Sequence, residues 1–128
     1  MTVSSTATVM VVEDEAMVAL ALASILQTFG FNVIGPCASA EAALAAASAQ
    51  RPDLVLMDIN LRGGIDGIEA ARRLSDAYGV QVVFVTGQGD PKTRERADQI
   101  GHAGYLVKPY RPAQLEKTIR AALSAHPR

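Results

Sequence analysis

The sequence has little cysteine and few aromatic residues. Of its 128 residues, one is cysteine (Cys37), none is tryptophan and 5% are aromatic. A single cysteine excludes an internal disulfide and any metal site built from several cysteines, and it suits a reducing compartment. Because Cys37 lies in a β-rich segment, we expect a small buried residue on a strand rather than a redox group.

The sequence also lacks signals for export or membrane insertion. Residues 1–6 contain no basic region followed by an apolar core, so no signal peptide is predicted. No apolar run is long enough to cross a bilayer. Lys and Arg number 12 and Asp and Glu 13, which gives a net charge of −1 and no basic field for nucleic acid. We therefore expect a cytoplasmic protein without membrane or nucleic-acid partners.

Short apolar segments alternate with helical patterns five times along the chain. The apolar fraction of 49% and the length predict one domain, residues 1–128 with a core of about 7–124, and no output domain. Strict alternation predicts an α/β fold in which five helices cover both faces of a five-stranded parallel sheet. We predict the flavodoxin-like, doubly wound order 2-1-3-4-5, because it places strands one and three side by side.

Local signals predict where the elements begin and end. Gly30 and Gly79 end the first and third helices, Ser39 caps the second, and Asp90-Pro91 begins the fourth. The predicted inward stripe of the first helix is Val18, Leu22, Ile25 and Phe29. The predicted strands are Val9–Val12, Phe31–Cys37, Leu54–Met57, Val80–Thr86 and Gly104–Val107. Because the third strand is an unbroken apolar run, we expect it in the middle of the sheet.

Charged residues stand at the tips of three predicted strands. Glu13 and Asp14 follow the first strand, Asp58 follows the third, and Lys108 follows the fifth. In the predicted order, the carboxyl ends of these strands open onto one crevice. Close carboxylates are unfavourable unless a cation intervenes, and oxygen ligands without a cysteine or histidine cluster favour a hard ion such as Mg²⁺. The sequence therefore predicts a metal-assisted phosphate site.

The order of these motifs resembles a response-regulator receiver domain of two-component signalling, over essentially the whole chain. The motif set is Glu13-Asp14, Asp58, Thr86, Tyr105 and Lys108-Pro109. The resemblance implies that a histidine kinase or histidine phosphotransfer protein donates a phosphoryl group to Asp58, which becomes an acyl phosphate. It also implies a monomer or weak dimer that is no enzyme beyond its own phosphorylation and dephosphorylation, and that signals through protein contacts.

The residue types suit distinct roles within such a site. Asp58 is the predicted nucleophile, because a carboxylate needs no base to deprotonate it at neutral pH. The predicted Mg²⁺ ligands are Asp14 and Asp58, with Glu13 binding directly or through water and the backbone carbonyl of Asn60 adding a further oxygen. Glu15 is expected to begin the first helix at its positive dipole end.

Three further residues are predicted to respond to the phosphoryl group. Lys108 would offset negative charge on the phosphoryl oxygens, and the resemblance predicts a cis Lys108–Pro109 bond. Thr86 would donate its hydroxyl to a phosphoryl oxygen. In receivers the aromatic at Tyr105 moves inward with that hydroxyl, so the pair would form a two-state element. The predicted surface for a downstream protein is the face of helix four, strand five and helix five.

Some features depart from the family pattern. The stretch from Asp58 to Gly67 is one residue longer than usual, Arg62 stands where proline is common, and Gly87 follows Thr86 where alanine is frequent. The run from Phe84 to Gly87 partly matches the phenylalanine-alanine-threonine-glycine motif of a subgroup of single-domain receivers. The basic residues of helix four fit a solvated face or a partner surface equally well; they are Lys92, Arg94 and Arg96.

Other functions fit the sequence less well. A passive phosphoryl shuttle or sink would use Asp58 without a switch. An aspartyl-nucleophile phosphatase of the haloacid dehalogenase type would need a second acid where Asn60 stands. A flavin or nucleotide carrier would need an anion-binding loop after the first strand, where three acidic residues, 13–15, would repel phosphate. His102 and His126 lack metal-binding spacing and are predicted to be surface residues.

Overall fold

The computed structural model describes residues 6–87 and 91–125, within which five strands and five helices alternate. In chain order the elements are β1 Thr8–Val12, α1 Ala16–Thr28, β2 Asn32–Cys37, α2 Ala40–Ala49, β3 Leu54–Asp58, α3 Gly67–Tyr78, β4 Gln81–Thr86, α4 Pro91–Ile100, β5 Gly104–Val107 and α5 Pro112–Ala125. The predicted cap Asp90 and His126 lie outside the described residues. Each helix within the described ranges is too short or too polar to span a bilayer.

The strands form one parallel sheet with the predicted order β2-β1-β3-β4-β5. All five residues of β3 are buried, which confirms its expected central position. The register aligns the carboxyl ends of the strands: Val12 pairs with Met57, Asp58 with Val85, and Thr86 with Val107. Residues just beyond these pairs therefore meet at one edge of the sheet.

Alternate residues of the strands pack on opposite faces, as the period of a β-strand requires. Val9 and Val11 contact the layer formed by α1 and α5. Met10 and Val12 contact the opposite layer, formed by α2, α3 and α4. The sheet is thus covered on both faces, and the edge at its carboxyl end opens between the two layers.

The inward face of α1 differs from the predicted stripe. Leu22 is buried as predicted, but Val18, Ile25 and Phe29 are only partly buried. The other buried residues of the helix are Ala19, Ala23 and Leu26. Ile25 and Phe29 still pack against the core, but the most buried face is displaced from the predicted stripe. Because α1 contains no charged residue, its sequence does not mark a polar face that would place the stripe more closely.

Local capping follows the predicted signals where the structure describes them. The Ser39 hydroxyl accepts a hydrogen bond from the Ala42 N–H at 3.0 Å and so caps α2. Gly79 ends α3 with a φ of 66°, a left-handed conformation that glycine adopts without a steric penalty. Cys37 is buried at the end of β2, as expected.

Candidate functional site

Asp58 is the last residue of β3, and only 7% of its surface is exposed. Its Oδ1 accepts a hydrogen bond from the backbone N–H of Asn60 at 3.1 Å. Burial raises the pKa of the Asp58 carboxyl from 3.8 to about 6, and the nearby Glu13 carboxylate adds to that rise, whereas the Asn60 N–H and the Lys108 charge oppose it. The carboxyl is therefore a better base and nucleophile than an exposed aspartate.

Glu13 and Lys108 form a partly buried ion pair beside Asp58. Glu13 is 4% exposed, and its Oε1 lies 3.1 Å from the Lys108 Nζ. Its Oε2 accepts a hydrogen bond from the N–H of Glu15, which is the N-cap residue of α1 and so lies at the expected end of that helix. Burial alone would lower the pKa of Lys108, but the Glu13 hydrogen bond and charge raise it above its ordinary value. Lys108 thus keeps its charge, and its bond to Pro109 is cis, as predicted.

Asp14 carries a second ion pair, which the sequence analysis missed. Its Oδ2 accepts two hydrogen bonds from Arg62, one from the backbone N–H at 2.9 Å and one from Nε at 3.0 Å. Burial would raise the pKa of Asp14, but these bonds and the guanidinium charge lower it below its ordinary value. The signal available in the sequence was a basic residue at a position where the family commonly has proline.

The three predicted metal-binding carboxylates lie together. Glu13, Asp14 and Asp58 each offer a carboxylate oxygen, and these atoms lie within 4.8 Å of one another. An oxygen-only donor set of this charge fits a hard divalent cation better than a transition metal. Asp14 and Asp58 line a crevice of about 400 Å³, together with residues that include Asn60 and Lys108. The role predicted for the Asn60 carbonyl stays a prediction.

Thr86 is the last residue of β4 and is fully buried. It lies one residue beyond Val85, which pairs with Asp58 across the sheet. The side-chain amide of Asn60 donates a long hydrogen bond, 3.4 Å, to the Thr86 hydroxyl. Sequence reasoning assigned only the backbone of Asn60 to the site. The amide therefore connects the loop after Asp58 to the predicted switch hydroxyl of Thr86.

Tyr105 on β5 packs within a group of aromatic and charged side chains. Its ring contacts Phe84 edge-on, with a centroid separation of 6.4 Å, and the Arg94 guanidinium lies 4.3 Å from the ring centroid. His102 also contacts both rings, and its Nε2 lies 2.6 Å from the Asp98 Oδ1. The predicted surface position of His102 is wrong, since only 12% of its side chain is exposed.

The basic residues of α4 include two that contact carboxylates of the described chain. Arg94 pairs with Asp98 one turn away at 3.2 Å. Arg96 reaches Asp66, the N-cap of α3, at 2.9 Å, and so connects α4 to the loop that follows β3. These contacts reduce the basic surface that α4 offers to a partner.

A larger groove, of about 550 Å³, lies at the opposite end of the sheet. It runs between the carboxyl ends of α3, α4 and α5, where Gly79, Ile100 and Ala122 are among the residues that line it. The described residues of this lining include no carboxylate, lysine or arginine. Volume alone therefore does not identify the site, and the charged crevice at the carboxyl ends of the strands is the better candidate.

The comparisons with known proteins agree with this geometry. Residues 9–120 match the family model described as the response regulator receiver domain. The signal receiver domain of a modulated diguanylate cyclase from Desulfovibrio desulfuricans G20 superposes with a TM-score of 0.89 at 34% identity, covering 94% of this chain and 96% of that one. The likeness thus extends over nearly the whole of both chains.

Curated relatives are similar over about half their own length. The transcriptional regulatory protein PdtaR of Mycobacterium tuberculosis is 33% identical over 116 residues, which is 91% of this chain and 56% of that protein. The phyllosphere-induced regulator PhyR of Methylorubrum extorquens is 33% identical over 117 residues, 90% of this chain and 43% of that protein. With the acidic crevice, the sheet order and the family match in agreement, the chain belongs to the response regulator receiver domain family.

Proposed function

We propose that this protein is a phosphoacceptor that receives a phosphoryl group on Asp58 from a histidine kinase or a histidine phosphotransfer protein. The observation that carries the proposal is the acidic cluster itself, where the carboxylates of Glu13 and Asp14 and the ammonium of Lys108 lie beside the buried Asp58 at the end of β3. A phosphoacceptor of this kind does not turn over a separate substrate. Its activity is confined to its own phosphorylation and dephosphorylation.

The transfer requires one bond to form and one to break. A carboxylate oxygen of Asp58 attacks phosphorus, the bond between phosphorus and the donor imidazole nitrogen breaks, and the electron pair of that bond returns to the imidazole. The Asp58 carboxyl suits this step because its raised pKa, about 6, leaves it ionised at pH 7.5 yet more nucleophilic than an ordinary aspartate. Its burial also limits access of water to the acyl phosphate.

The acidic cluster fits Mg²⁺, with Asp14, Asp58 and Glu13 as the side chains that would hold it. When bound, the cation would neutralise charge on the phosphoryl oxygens and orient them. Lys108 supplies a permanent positive charge at the same crevice. After transfer, the Glu13 carboxylate and the phosphoryl oxygens compete for the Lys108 ammonium. The ammonium can then leave Glu13 and pair with a phosphoryl oxygen.

The proposed output is a protein contact at the face of α4, β5 and α5. Thr86 is on β4, the strand beside the one that carries Asp58. Tyr105 of β5 pairs with Phe84 of β4. Movement of the Thr86 hydroxyl toward a phosphoryl group would release its bond to the Asn60 amide and change the packing around Tyr105. Phosphorylation of Asp58 would thus change the conformation of the surface formed by α4, β5 and α5. A passive shuttle would use the same Asp58 chemistry without this movement.

The experiment is incubation with a small phosphodonor, acetyl phosphate, in the presence or absence of Mg²⁺, followed by intact mass measurement. We expect one phosphoryl adduct that requires Mg²⁺ and that is absent in Asp58→Asn. Asp76→Asn is the matched control, since Asp76 is an exposed acid on α3, and it should be labelled like the unmodified protein. An adduct on the Asp58→Asn protein would place the acceptor elsewhere, and sustained hydrolysis of phosphate esters would favour the phosphatase alternative.

A further inference from the structure

Arg62 makes an unusual double contact with the acidic cluster. Its backbone N–H and its Nε both donate to the same oxygen of Asp14, Oδ2, at 2.9 and 3.0 Å. The Arg62 side chain is 77% exposed, whereas the Asp14 side chain is 12% exposed. The contact therefore places a solvent-facing cation on a carboxylate that is largely buried.

This contact uses one of the two oxygens with which Asp14 could bind a metal ion. A carboxylate oxygen has two lone pairs, and both lone pairs of the Asp14 Oδ2 are engaged by the two Arg62 donors. The guanidinium also supplies positive charge beside the cluster, and like charges repel an incoming cation. A divalent cation and the Arg62 guanidinium thus compete for Asp14.

The charges around the crevice also favour release of a cationic side chain when Mg²⁺ binds. Among the described residues, the three clustered carboxylates are balanced in part by two cationic side chains, Lys108 on Glu13 and Arg62 on Asp14. Glu15 also lines the crevice, so addition of Mg²⁺ would leave no excess of negative charge there if both cationic side chains stayed in place. Lys108 is partly buried, at 33% exposure, so the exposed Arg62 is the cation that can leave at the lower cost.

We propose that Arg62 is an internal counter-ion that exchanges with Mg²⁺ on Asp14 and thereby lowers and sets the affinity of the crevice for the metal. In the metal-free protein the guanidinium holds Asp14 in its ligand orientation. On metal entry the guanidinium leaves Oδ2, while the backbone N–H of Arg62 can keep the carboxylate in place. Arg62 is thus a positioning residue, and its role rests on the proposed Mg²⁺ site.

The first measurement is the Mg²⁺ dissociation constant by titration calorimetry for the unmodified protein, Arg62→Ala and Arg62→Gln. We expect both variants to bind Mg²⁺ about twofold to fivefold more tightly, because the substitution removes the guanidinium that competes for Asp14 in this exposed ion pair. Arg73→Ala is the control for net charge, since Arg73 is also an exposed arginine paired with a carboxylate, on α3. It should leave the dissociation constant unchanged.

The second measurement follows the Arg62 Nε–H resonance by NMR during Mg²⁺ addition. The hydrogen bond to Asp14 should separate this resonance from those of solvated arginines, and saturation with Mg²⁺ should move it to the position of a solvated side chain. The Nε–H of Arg73 should not move. This resonance reports the exchange directly, because a loss of charge elsewhere in the protein would not release the Arg62 Nε–H from Asp14.

The outcomes separate this proposal from the proposed function. Equal or weaker Mg²⁺ binding by Arg62→Ala, or an Arg62 Nε–H resonance that stays in place while the metal saturates the site, would overturn the counter-ion role and leave the phosphoacceptor function standing. Failure of all the proteins to bind Mg²⁺ would instead contradict the metal site, and with it the basis of both proposals. Tighter binding together with release of the Nε–H would support the exchange.

Discussion

At the scale of single residues, the Asp58 carboxyl makes the metal-free fold less stable at neutral pH. Its pKa is 3.8 in an ordinary setting and about 6 in the fold, so the folded protein binds more protons than the unfolded chain between these values. The free energy of unfolding therefore falls as pH rises from about 4 to about 6. Above pH 6 the full cost of an ionised, buried carboxylate remains.

We predict that Asp58→Asn stabilises the metal-free protein at pH 7.5 by about 1–2 kcal/mol, with a difference that disappears near pH 4. The amide has nearly the same shape but carries no charge to bury. Urea unfolding in the presence of a chelator at both pH values measures the effect, with Asp76→Asn as the exposed control. A gain that did not depend on pH would mean that packing, not ionisation, sets the cost.

At the scale of elements, β4 and β5 connect the acceptor to the distant face of α4 and α5. Thr86 ends β4, and Tyr105 lies on β5 beneath the guanidinium of Arg94 from α4. The side chains of three elements thus meet around the ring of Tyr105. The ring of Tyr105 therefore connects Phe84 of β4 with Arg94 of α4.

We predict that beryllofluoride with Mg²⁺, a mimic of the phosphoryl group, shifts amide resonances of α4 and β5 as well as those around Asp58. Thr86→Ala should suppress the shifts of α4 and β5 while allowing the acceptor to be phosphorylated. Thr86→Ser, which keeps the hydroxyl, should retain them. Shifts confined to the loops after β1 and β3 in the unmodified protein would favour a passive shuttle or sink.

At the scale of the whole molecule, the general pattern of the fold could be predicted from the sequence because its signals are periodic. The alternation of strands and helices predicts the layers, and the apolar run of β3 predicts its central place. The convergence of parallel strands at their carboxyl ends then brings Asp14 and Asp58 together. The contacts that were missed depend on side-chain conformation in loops and on packing around β5, which no period encodes; they involve Arg62, Asn60 and His102.

The global stability of the protein should depend on Mg²⁺. A cation that binds the folded cluster but not the unfolded chain raises the free energy of unfolding by about 2.7 kcal/mol at a hundred times its dissociation constant. We predict this gain at pH 7.5 and a smaller gain at pH 5, because protonation of Asp58 then competes with the metal. Thermal unfolding with and without Mg²⁺ measures both, and Asp14→Ala should lose most of the gain. An equal gain at the two pH values would argue against Asp58 as a ligand.

The contact between Gly67 and the end of β3 determines where the chain tolerates extra length. A Cβ at Gly67 would lie 2.0 Å from the Asp58 carbonyl oxygen, and the Gly67 N–H donates to the Ile59 carbonyl at 3.0 Å, so both ends of the intervening loop are fixed. Gly63, by contrast, has open space around it and a φ of 72°. We predict that a glycine inserted after Gly63 preserves the rate of phosphorylation, whereas Gly67→Ala displaces the acceptor and slows it, as a phosphodonor time course would measure. The length of this loop can therefore vary near Gly63 without displacing the carboxylate of Asp58.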